Sequence, residues 1–214
     1  MLQKDSGMVI VLSGFSGAGK GTIMKHLMTD YPDAYHLSIS ATTRAIREEE
    51  VEGREYFFKT KEEFEQMIAN GDLLEYANFN DNYYGTPKAY VKEQIEAGRD
   101  IILEIEVQGA LQVKKIFPDA LLLFVTPPSA EALRDRLIGR GTESEEVVAQ
   151  RLAISCRESK LMDQYDYLII NNKLEDSVAQ VHSIIQSEHN NTSRRREAIA
   201  QIQKELQVFA KGEQ

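Results

Sequence analysis

A glycine-rich loop between a strand pattern and a helix pattern constrains the fold of this chain more than any other feature. Residues 8–13 (MVIVLS) form a short apolar run rich in β-branched residues, and helical spacing of Ile23, Leu27 and Met28 follows the glycines. Similar buried-strand patterns, each followed by a stretch of helical length, recur at residues 100–104, 120–126 and 167–170. This alternation predicts an α/β fold with a three-layer core built on a parallel sheet.

The loop has the G-x-x-x-x-G-K spacing that is typical of a phosphate-binding loop. Its glycines allow successive backbone N–H groups to face one centre, the next helix N-terminus adds partial positive charge, and Lys20 adds a full charge. A polyphosphate fits this arrangement. A glycine directly follows the lysine, so the candidate hydroxyl for a metal comes one residue later, at Thr22. The predicted loop comprises Gly14, Phe15, Ser16, Gly17, Ala18, Gly19, Lys20, Gly21 and Thr22.

Two segments interrupt the alternation of strands and helices. Between residues 40 and 87, short mixed segments surround one helical pattern near residues 61–70, which predicts an inserted mixed α+β lobe. Glycines at 139 and 141 interrupt a helical pattern and predict a small helical lid. The predicted division is a core of residues 1–39, 88–135 and 155–214, a lobe of residues 40–87 and a lid of residues 136–154.

The C-terminal segment and the single cysteine give two further expectations. Three arginines at 194–196 precede apolar residues at helical spacing, at 199, 202, 206 and 209, which predicts a terminal helix packed on the core. Cys156 cannot form an internal disulfide, and unpaired cysteines are most often buried. We therefore expect a buried thiol at Cys156.

The charge balance limits the kinds of partner. The chain has 25 Lys and Arg residues against 34 Asp and Glu residues, a net charge of −9, which opposes broad binding to nucleic acid or to anionic membranes. Apolar runs such as Met8 to Leu12 are too short to cross a bilayer, and Met8 to Leu12 lacks the flanks of a signal peptide. These features predict a cytoplasmic protein that binds anions through a local cluster of cations. They leave its oligomeric state open.

A second group of residues suits a monophosphate. Arg44 and Arg47 lie three residues apart, and arginine forks bind phosphate oxygens in pairs. With the hydroxyls of Tyr56 and Tyr84, the two guanidinium groups could surround one dianionic phosphate. The segment therefore predicts a pocket for the phosphate of a second nucleotide.

The same segment offers groups that distinguish guanine from adenine. Guanine presents adjacent N1–H and N2–H₂ donors, which the carboxylate of Glu75 can accept as a pair, while Ser40 and Thr86 can donate to O6. A site that forms such hydrogen bonds rejects a base without those groups, because its own polar groups are then left unpaired. These residues predict selection of guanine.

Paired carboxylates and arginines complete the candidate site. Glu104 and Glu106 are two residues apart near the carboxyl end of a predicted strand, where open α/β sheets bind ligands. Arg136 and Arg140, four apart, would repel each other on one helix face unless an anion lay between them. Arg151 comes from the next predicted helix. An anion bound between these arginines is the chemistry that their spacing favours.

In order and residue type, these segments resemble the guanylate kinase family from about residue 8 to residue 172. The segments that carry the resemblance are 14–22, 38–47 (SISATTRAIR), 82–87 (NYYGTP), 104–109 (EIEVQG) and 139–142 (GRGT). The resemblance implies a P-loop kinase with a GMP-binding lobe and a lid, which transfers the γ-phosphoryl group of MgATP to GMP and gives ADP and GDP. It also implies that Asn171 and Asn172 lie near the adenine.

The resemblance further implies roles for individual residues. The expected catalytic residues are Lys20, Arg44, Arg140 and Arg151. The expected ATP contacts are the loop of residues 14–22 with Arg136 and Arg140. The expected GMP contacts are Ser40, Arg44, Arg47, Glu50, Tyr56, Glu75, Tyr84, Thr86, Glu104, Glu106 and Arg151. Mg²⁺ is expected at Thr22 and at Glu104, the latter through water.

Two other interpretations stay open. A related binding module without catalysis would recognise phosphopeptides or partner proteins, but such a module has no physical need for a complete phosphate loop and lid arginines. A kinase of AMP, UMP or dTMP would also need the loop, but Glu75 would then face acceptors instead of paired donors. An assay with several acceptors separates the three.

Overall fold

The computed structural model describes residues 7–79, 81–139 and 144–210. Within these ranges the strands are β1 (Val9–Gly14), β2 (Tyr35–Leu37), β3 (Ser40–Thr42), β4 (Tyr56–Phe58), β5 (Leu73–Phe79), β6 (Asn82–Pro87), β7 (Asp100–Glu104), β8 (Leu121–Thr126) and β9 (Tyr167–Ile170). The helices are α1 (Lys20–Asp30), α2 (Lys61–Asn70), α3 (Lys88–Glu96), α4 (Val107–Ile116), α5 (Ala130–Ile138), α6 (Glu145–Glu158), α7 (Leu174–Glu188) and α8 (Arg196–Ala210), with a 3-10 helix at Ser159–Gln164.

The larger sheet has five strands in the order β2-β7-β1-β8-β9, and every neighbouring pair is parallel. Central strand β1 is buried along its whole length. Its side chains alternate: Ile10 and Leu12 join a cluster that includes residues of α1 and α7, whereas Val9 and Val11 join one with residues of α3 and α4. Helices therefore cover both faces, and the predicted parallel α/β core is confirmed.

The smaller sheet lies in the predicted inserted segment. Its order is β4-β3-β6-β5, with β3 parallel to β4 and antiparallel pairs elsewhere, so the expected mixed sheet is confirmed. Helix α2 packs on it through Phe64, which is fully buried and stacks on Tyr83 at 5.2 Å between ring centroids. Thr60 and Glu63 form a capping box that fixes the start of α2.

The carboxyl ends of the parallel strands bring the candidate site together. β1 ends at Gly14, β7 at Glu104, β8 at Thr126 and β9 at Ile170, so these four positions lie along one edge of the core sheet. The smaller sheet adjoins this edge, because β5 contacts α4, the helix that follows β7. The fold thus places a glycine loop and a second lobe beside the same cleft.

Two sequence expectations are wrong. Cys156, in α6, is exposed rather than buried. Helix α8 forms as predicted, but its apolar face is not packed on the core: the exposed fractions of Leu206 and Phe209 are 59% and 76%. Helical periodicity shows that a helix has an apolar face, but it does not show what covers that face.

Other sequence expectations are refined or stay predictions. β2 has no counterpart among the predicted strands, because it is three residues long and only Tyr35 is buried. The proposed lid bounds, residues 136 and 154, fall inside α5 and α6, and the division into core, lobe and lid stays a prediction. None of the helices in the described ranges is both long and apolar enough to span a membrane. The cytoplasmic location stays a prediction.

Candidate active site

The glycine loop has a backbone shape that other residues could not adopt without strain. Gly14 has φ 142°, and a Cβ atom there would lie 2.0 Å from the backbone oxygen of Val125 on β8. Gly19 caps α1 with φ 96°, and a Cβ atom there would lie 2.4 Å from Nδ2 of Asn171. Both glycines are therefore required by close approach as well as by positive φ. The loop can present its N–H groups at the start of α1, as the sequence predicts.

Two side chains, Lys20 and Phe15, hold the loop in place. The Lys20 ammonium donates to the backbone oxygens of Gly14 and Phe15 at 2.7 and 3.2 Å, which holds its charge over the loop. The buried ring of Phe15 packs edge-on against Phe124 of β8, with 5.0 Å between ring centroids. The charge of Lys20 thus lies where a phosphate chain would bind.

Two of the predicted arginines reach the loop from distant parts of the chain. Nη1 of Arg151 donates to Oγ of Ser16 at 3.0 Å. Arg136 donates to the backbone oxygens of Ala18 at 3.3 Å and Asn171 at 2.7 Å. Helices α5 and α6 therefore bring cations to the phosphate loop. The third predicted arginine, Arg140, lies outside the described residues.

Asn171 contributes to the loop in a way that sequence reasoning missed. Its Nδ2 donates to the backbone oxygen of Ala18 at 2.8 Å, and its Oδ1 accepts from Oγ of Ser177 on α7 at 3.1 Å. Asn171 is buried, so its amide belongs to the support of the loop. Its place directly after the last strand of the sheet was the available signal. Proximity of Asn171 and Asn172 to adenine stays a prediction.

In the second lobe, an ion pair holds Arg44 over aromatic rings. Its guanidinium group donates to both carboxylate oxygens of Glu50, at 2.7 and 3.0 Å, and lies 5.4 Å from the ring centroid of Tyr56. Hydrogen bonds from Arg44 and from the backbone N–H of Arg47 lower the pKa of Glu50. The ring of Tyr84 lies 6.0 Å from that of Tyr56. Arg44, Tyr56 and Tyr84 are three of the four residues predicted to surround a phosphate, and they lie together with Glu50. The fourth, Arg47, is exposed beside them.

Glu75 is buried in the second lobe, next to Thr86. Its exposed fraction is 9%, and Oε1 accepts from Oγ1 of Thr86 at 2.7 Å, so the Thr86 hydroxyl hydrogen is directed to Glu75. A Cβ atom on Gly109 of α4 would lie 3.1 Å from Oε2 of Glu75, so the glycine leaves room for the carboxylate. Burial raises the pKa of Glu75, and the hydrogen bond from Thr86 opposes that rise. The arrangement is a desolvated acceptor that a neighbouring hydroxyl orients.

A cavity of about 180 Å³ joins the predicted GMP residues to the core sheet. The predicted residues that line it are Ser40, Tyr56, Thr86 and Glu104. A larger cavity, of about 710 Å³, lies between α5 and α6, and Phe15 is the one predicted site residue of the described ranges that lines it. The larger cavity is therefore not the one at which the predicted polar groups converge.

Glu104 lies between the loop and this cavity. A Cβ atom on Gly21, in the first turn of α1, would lie 3.6 Å from Oε1 of Glu104. Burial raises the pKa of Glu104, the charge of nearby Lys20 opposes that rise, and the charge of Glu106 adds to it. Glu106 is the N-cap of α4 and makes no side-chain capping bond. Glu104 thus lies at the cleft, and the charge of Glu106 is close enough to act on it.

Glu158 and Tyr165 join the electrostatic environment of this cleft without any signal in the sequence. The pKa of Glu158 is raised by burial and by the charge of Glu106, while Lys20 lowers it. Burial raises the pKa of Tyr165 to about 12. No motif marks these two residues, and they are brought near the carboxylates by the end of α6 and the turn before β9.

The comparisons with known proteins cover most of the chain. The sequence profile of the guanylate kinase family matches residues 6–188. The chain is 50% identical over 203 residues to the guanylate kinase of Oceanobacillus iheyensis, covering 95% of this chain and 96% of that one. It is 48% identical over 205 residues to the guanylate kinase of Bacillus cereus, covering 96% and 98%. A crystal structure of guanylate kinase from Anaplasma phagocytophilum aligns with a TM-score of 0.68 and 30% identity, over 89% of this chain and 90% of that one.

A phosphate loop at one edge of a parallel sheet, with an arginine-containing second lobe across the cleft, defines a P-loop nucleoside-monophosphate kinase. The match along nearly the whole chain identifies one family within this class. The chain belongs to the guanylate kinase family, whose activity is ATP-dependent phosphorylation of GMP.

Proposed function

We propose that the glycine loop binds ATP, that the second lobe binds GMP, and that the γ-phosphoryl group passes between them at Glu104. The position of Glu104 carries this proposal. Its carboxylate lies beside the first turn of α1 and also lines the cavity that contains Ser40, Tyr56 and Thr86. A group held at that carboxylate would therefore be within reach of nucleotides in both places.

The acceptor needs orientation more than activation. An oxygen of the GMP phosphate attacks the γ-phosphorus of ATP, the bond to the β,γ-bridging oxygen breaks, and ADP and GDP are formed. The acceptor phosphate is already anionic near neutral pH, so no covalent intermediate with the protein is needed. The work of the protein is alignment and charge stabilisation, which we assign to Lys20, Arg44 and Arg151. Arg140 keeps its predicted role in the lid.

Selection of GMP is assigned to Glu75. A buried carboxylate can accept from N1–H and N2–H₂ of guanine together, whereas adenine and the pyrimidine bases of UMP and dTMP present no such pair of adjacent donors. Because Glu75 is desolvated, a base that leaves it unpaired loses binding energy without any compensating water. The ion pair with Glu50 holds Arg44 for the acceptor phosphate.

The residues at the cleft also fit Mg²⁺. Mg²⁺ usually binds through one or two carboxylates together with substrate phosphates. No group of three or more His, Cys, Asp or Glu residues in the described ranges could hold a metal by itself, so phosphates would supply most of its ligands. Glu104 and Thr22 are the candidate protein contacts. Mg²⁺, when bound with ATP, neutralises charge on the phosphates.

An ADP-release assay with GMP, AMP, UMP and dTMP as parallel acceptors tests this function. We expect MgATP-dependent turnover with GMP and a preference for GMP of about 100-fold or more, as in sites that hydrogen-bond their substrate. Chelation of Mg²⁺ should stop the reaction, and added Mg²⁺ should restore it. Absence of turnover with all four acceptors would favour a binding module, and preference for another acceptor would contradict the role of Glu75.

A further inference from the structure

A buried hydroxyl near the start of α7 reaches the phosphate loop through one other side chain. Ser177 is 2% exposed, and its Oγ lies 3.1 Å from Oδ1 of Asn171 and 3.0 Å from the backbone oxygen of Lys173. Asn171 in turn donates from Nδ2 to the backbone oxygen of Ala18 at 2.8 Å. Two consecutive hydrogen bonds therefore join α7 to the loop.

The donors and acceptors along this path fix the direction of each bond. The backbone oxygen of Ala18 can only accept, so the Asn171 side chain must turn Nδ2 toward it and Oδ1 toward Ser177. The Lys173 oxygen already accepts from the backbone N–H of Ser177 at 3.1 Å, so the hydroxyl hydrogen is free to serve Oδ1. Without that hydroxyl, a buried amide oxygen would lose its donor, which favours rotation of the amide away from Ala18.

The backbone of Asn171 is held independently, so only its side-chain torsions remain to be fixed. Its N–H donates to the oxygen of Thr126 at 2.7 Å, and its own backbone oxygen accepts from Arg136 at 2.7 Å. The loop comes very close to the amide, since a Cβ atom on Gly19 would lie 2.4 Å from Nδ2. A rotated amide would press on the loop or leave the Ala18 oxygen with only its longer bond, 3.3 Å, from Arg136.

Ala18 lies at the joint where the loop becomes a helix. Its N–H donates to the oxygen of Phe15 at 3.0 Å, which closes the turn of the loop. The next residue, Gly19, is the N-cap of α1, and its oxygen accepts from the N–H of Ile23 at 3.0 Å. The backbone N–H groups at this joint are the ones that a phosphate chain would meet. A shift at Ala18 would therefore change the shape of the phosphate site.

We propose that Ser177 is a positioning residue for phosphoryl transfer, which acts through Asn171 to keep the joint at Ala18 in its phosphate-binding shape. This inference rests on the proposed binding of ATP at the glycine loop. Its effect should be confined to the donor side of the cleft, because the second lobe is built from β3, β4, β5 and β6. It differs from the predicted proximity of Asn171 to adenine, because it concerns the phosphate chain and not the base.

Calorimetric titration of Ser177→Ala with ADP and with inorganic triphosphate tests this role. We expect both ligands to bind about fivefold more weakly than to the wild type, which is the scale of one lost neutral hydrogen bond. Equal losses indicate an effect on the loop, since inorganic triphosphate has no base. A loss with ADP alone, or with neither ligand, would overturn the proposal.

Ser155→Ala is the matched control for burial. Ser155 is 5% exposed, and its Oγ has no hydrogen-bond partner within the part of the chain that the structure describes. The substitution is chemically the same but removes no bond, so triphosphate binding should not change. An equal loss in both variants would mean that the hydrogen bond to Asn171 is not the cause, and would overturn the proposal.

A double-variant cycle tests whether Ser177 acts through Asn171. Asn171→Ala removes the bond to the Ala18 oxygen, so the further change Ser177→Ala should weaken triphosphate binding no more than Asn171→Ala does alone. Two losses that multiply in the double variant would show independent action and overturn the proposal.

Steady-state kinetics separate this role from a general effect on folding and from the proposed function. Ser177→Ala should raise the KM for ATP about fivefold and leave the KM for GMP unchanged. An equal rise in both would overturn the proposal. A wild type that phosphorylates GMP, with triphosphate binding that Ser177→Ala does not alter, would overturn this inference alone. A wild type without GMP-dependent turnover would overturn the proposed function, and with it any role of Ser177 in phosphoryl transfer, even where Ser177→Ala weakens triphosphate binding.

Discussion

The glycine loop and the second lobe, on opposite sides of the cleft, are built by different means. The glycine loop is built from backbone: Gly14 and Gly19 are required by positive φ and close approach, and the loop donors are peptide groups. The second lobe is built from side chains, with Arg44 held by Glu50 and Glu75 oriented by Thr86. Under the proposed function, the loop would bind any triphosphate tail, whereas the second lobe would select one base. We therefore expect specificity to depend on the side chains of the second lobe.

Of the substitutions that test this comparison, Lys20→Ala is expected to have the largest effect on kcat. It removes the full charge from the backbone half, and loss of one fixed transition-state contact typically lowers kcat by about 1,000-fold. The KM for GMP should change little, because Lys20 lies in the other half of the cleft. Steady-state kinetics with both substrates measures this, and Lys25→Ala, on the same helix, is the control. Retention of full activity by Lys20→Ala would contradict its role.

Gly14→Ala tests the backbone half directly. The new Cβ atom would lie 2.0 Å from the Val125 oxygen at φ 142°, and we expect a loss of about 3 kcal/mol in the free energy of unfolding. Gly21→Ala is the control, since its Cβ atom would make an ordinary contact at 3.6 Å and alanine favours a helix. Urea denaturation measures both. Equal stability of the two variants would show that the loop can relax.

Glu75→Gln tests base selection by the second lobe. One of the two acceptor positions becomes a donor, so we expect kcat/KM for GMP to fall about 100-fold, and that for IMP, which lacks the N2 amine, to fall less. The preference for GMP over IMP should therefore shrink. Thermal stability should not fall, because burial disfavours the charged form of Glu75. A preference that the substitution leaves intact would place base selection elsewhere.

Glu50→Gln tests whether the ion pair with Glu50 positions Arg44 in the second lobe. Gln still accepts one hydrogen bond from Arg44 but lacks the charge that fixes the guanidinium, so we expect the KM for GMP to rise about tenfold. The KM for ATP should stay the same. Glu55→Gln is a matched control, because Glu55 pairs with the exposed Arg54 and such pairs contribute little. An equal change in both variants would mean that Glu50 does not act through Arg44.

The smallest expected effect is a pH dependence with opposite signs for binding and stability. The folded pKa of Glu75 lies above 4.5, so in the window from 4.5 up to that raised pKa the folded state binds more protons than the unfolded state. As pH rises through this window, stability falls a little while GMP binding improves, since the acceptor becomes charged. Glu75→Gln should remove both trends, as judged by melting temperature and GMP affinity relative to wild type. A wild-type trend that survives in the variant would belong to another group.

Local features of the sequence were enough to predict much of the fold and part of the site. The strand, loop and helix around Lys20 were predicted because glycine spacing and hydrophobic periodicity act over a few residues. The contact of Arg151 with Ser16 joins residues 135 apart, and spacing alone holds no information about such a distance. The family resemblance assigned Arg151 to the site but did not predict its contact with Ser16. The support of Ala18 by Asn171 was missed because no motif marks a side chain that bonds a backbone oxygen.

The errors have physical causes as well. Cys156 was expected to be buried from the usual behaviour of cysteine, but its position in α6 is exposed. Helix α8 was expected to pack on the core, but helical spacing shows that a helix has an apolar face and not what covers it, and Leu206 and Phe209 are exposed. Strand β2 was missed because it gains its order from pairing with β7 and has one buried residue of its own.

The backbone oxygen of Ala18 accepts hydrogen bonds from Arg136 and Asn171, both of which approach from behind the loop. In a trans peptide the N–H of the next residue points the opposite way from that oxygen. The amide plane between Ala18 and Gly19 is thereby held against a flip, with the Gly19 hydrogen turned away from Arg136 and Asn171. If the loop binds ATP as proposed, this donor is already fixed in direction before the nucleotide arrives, so binding would not have to reorient it.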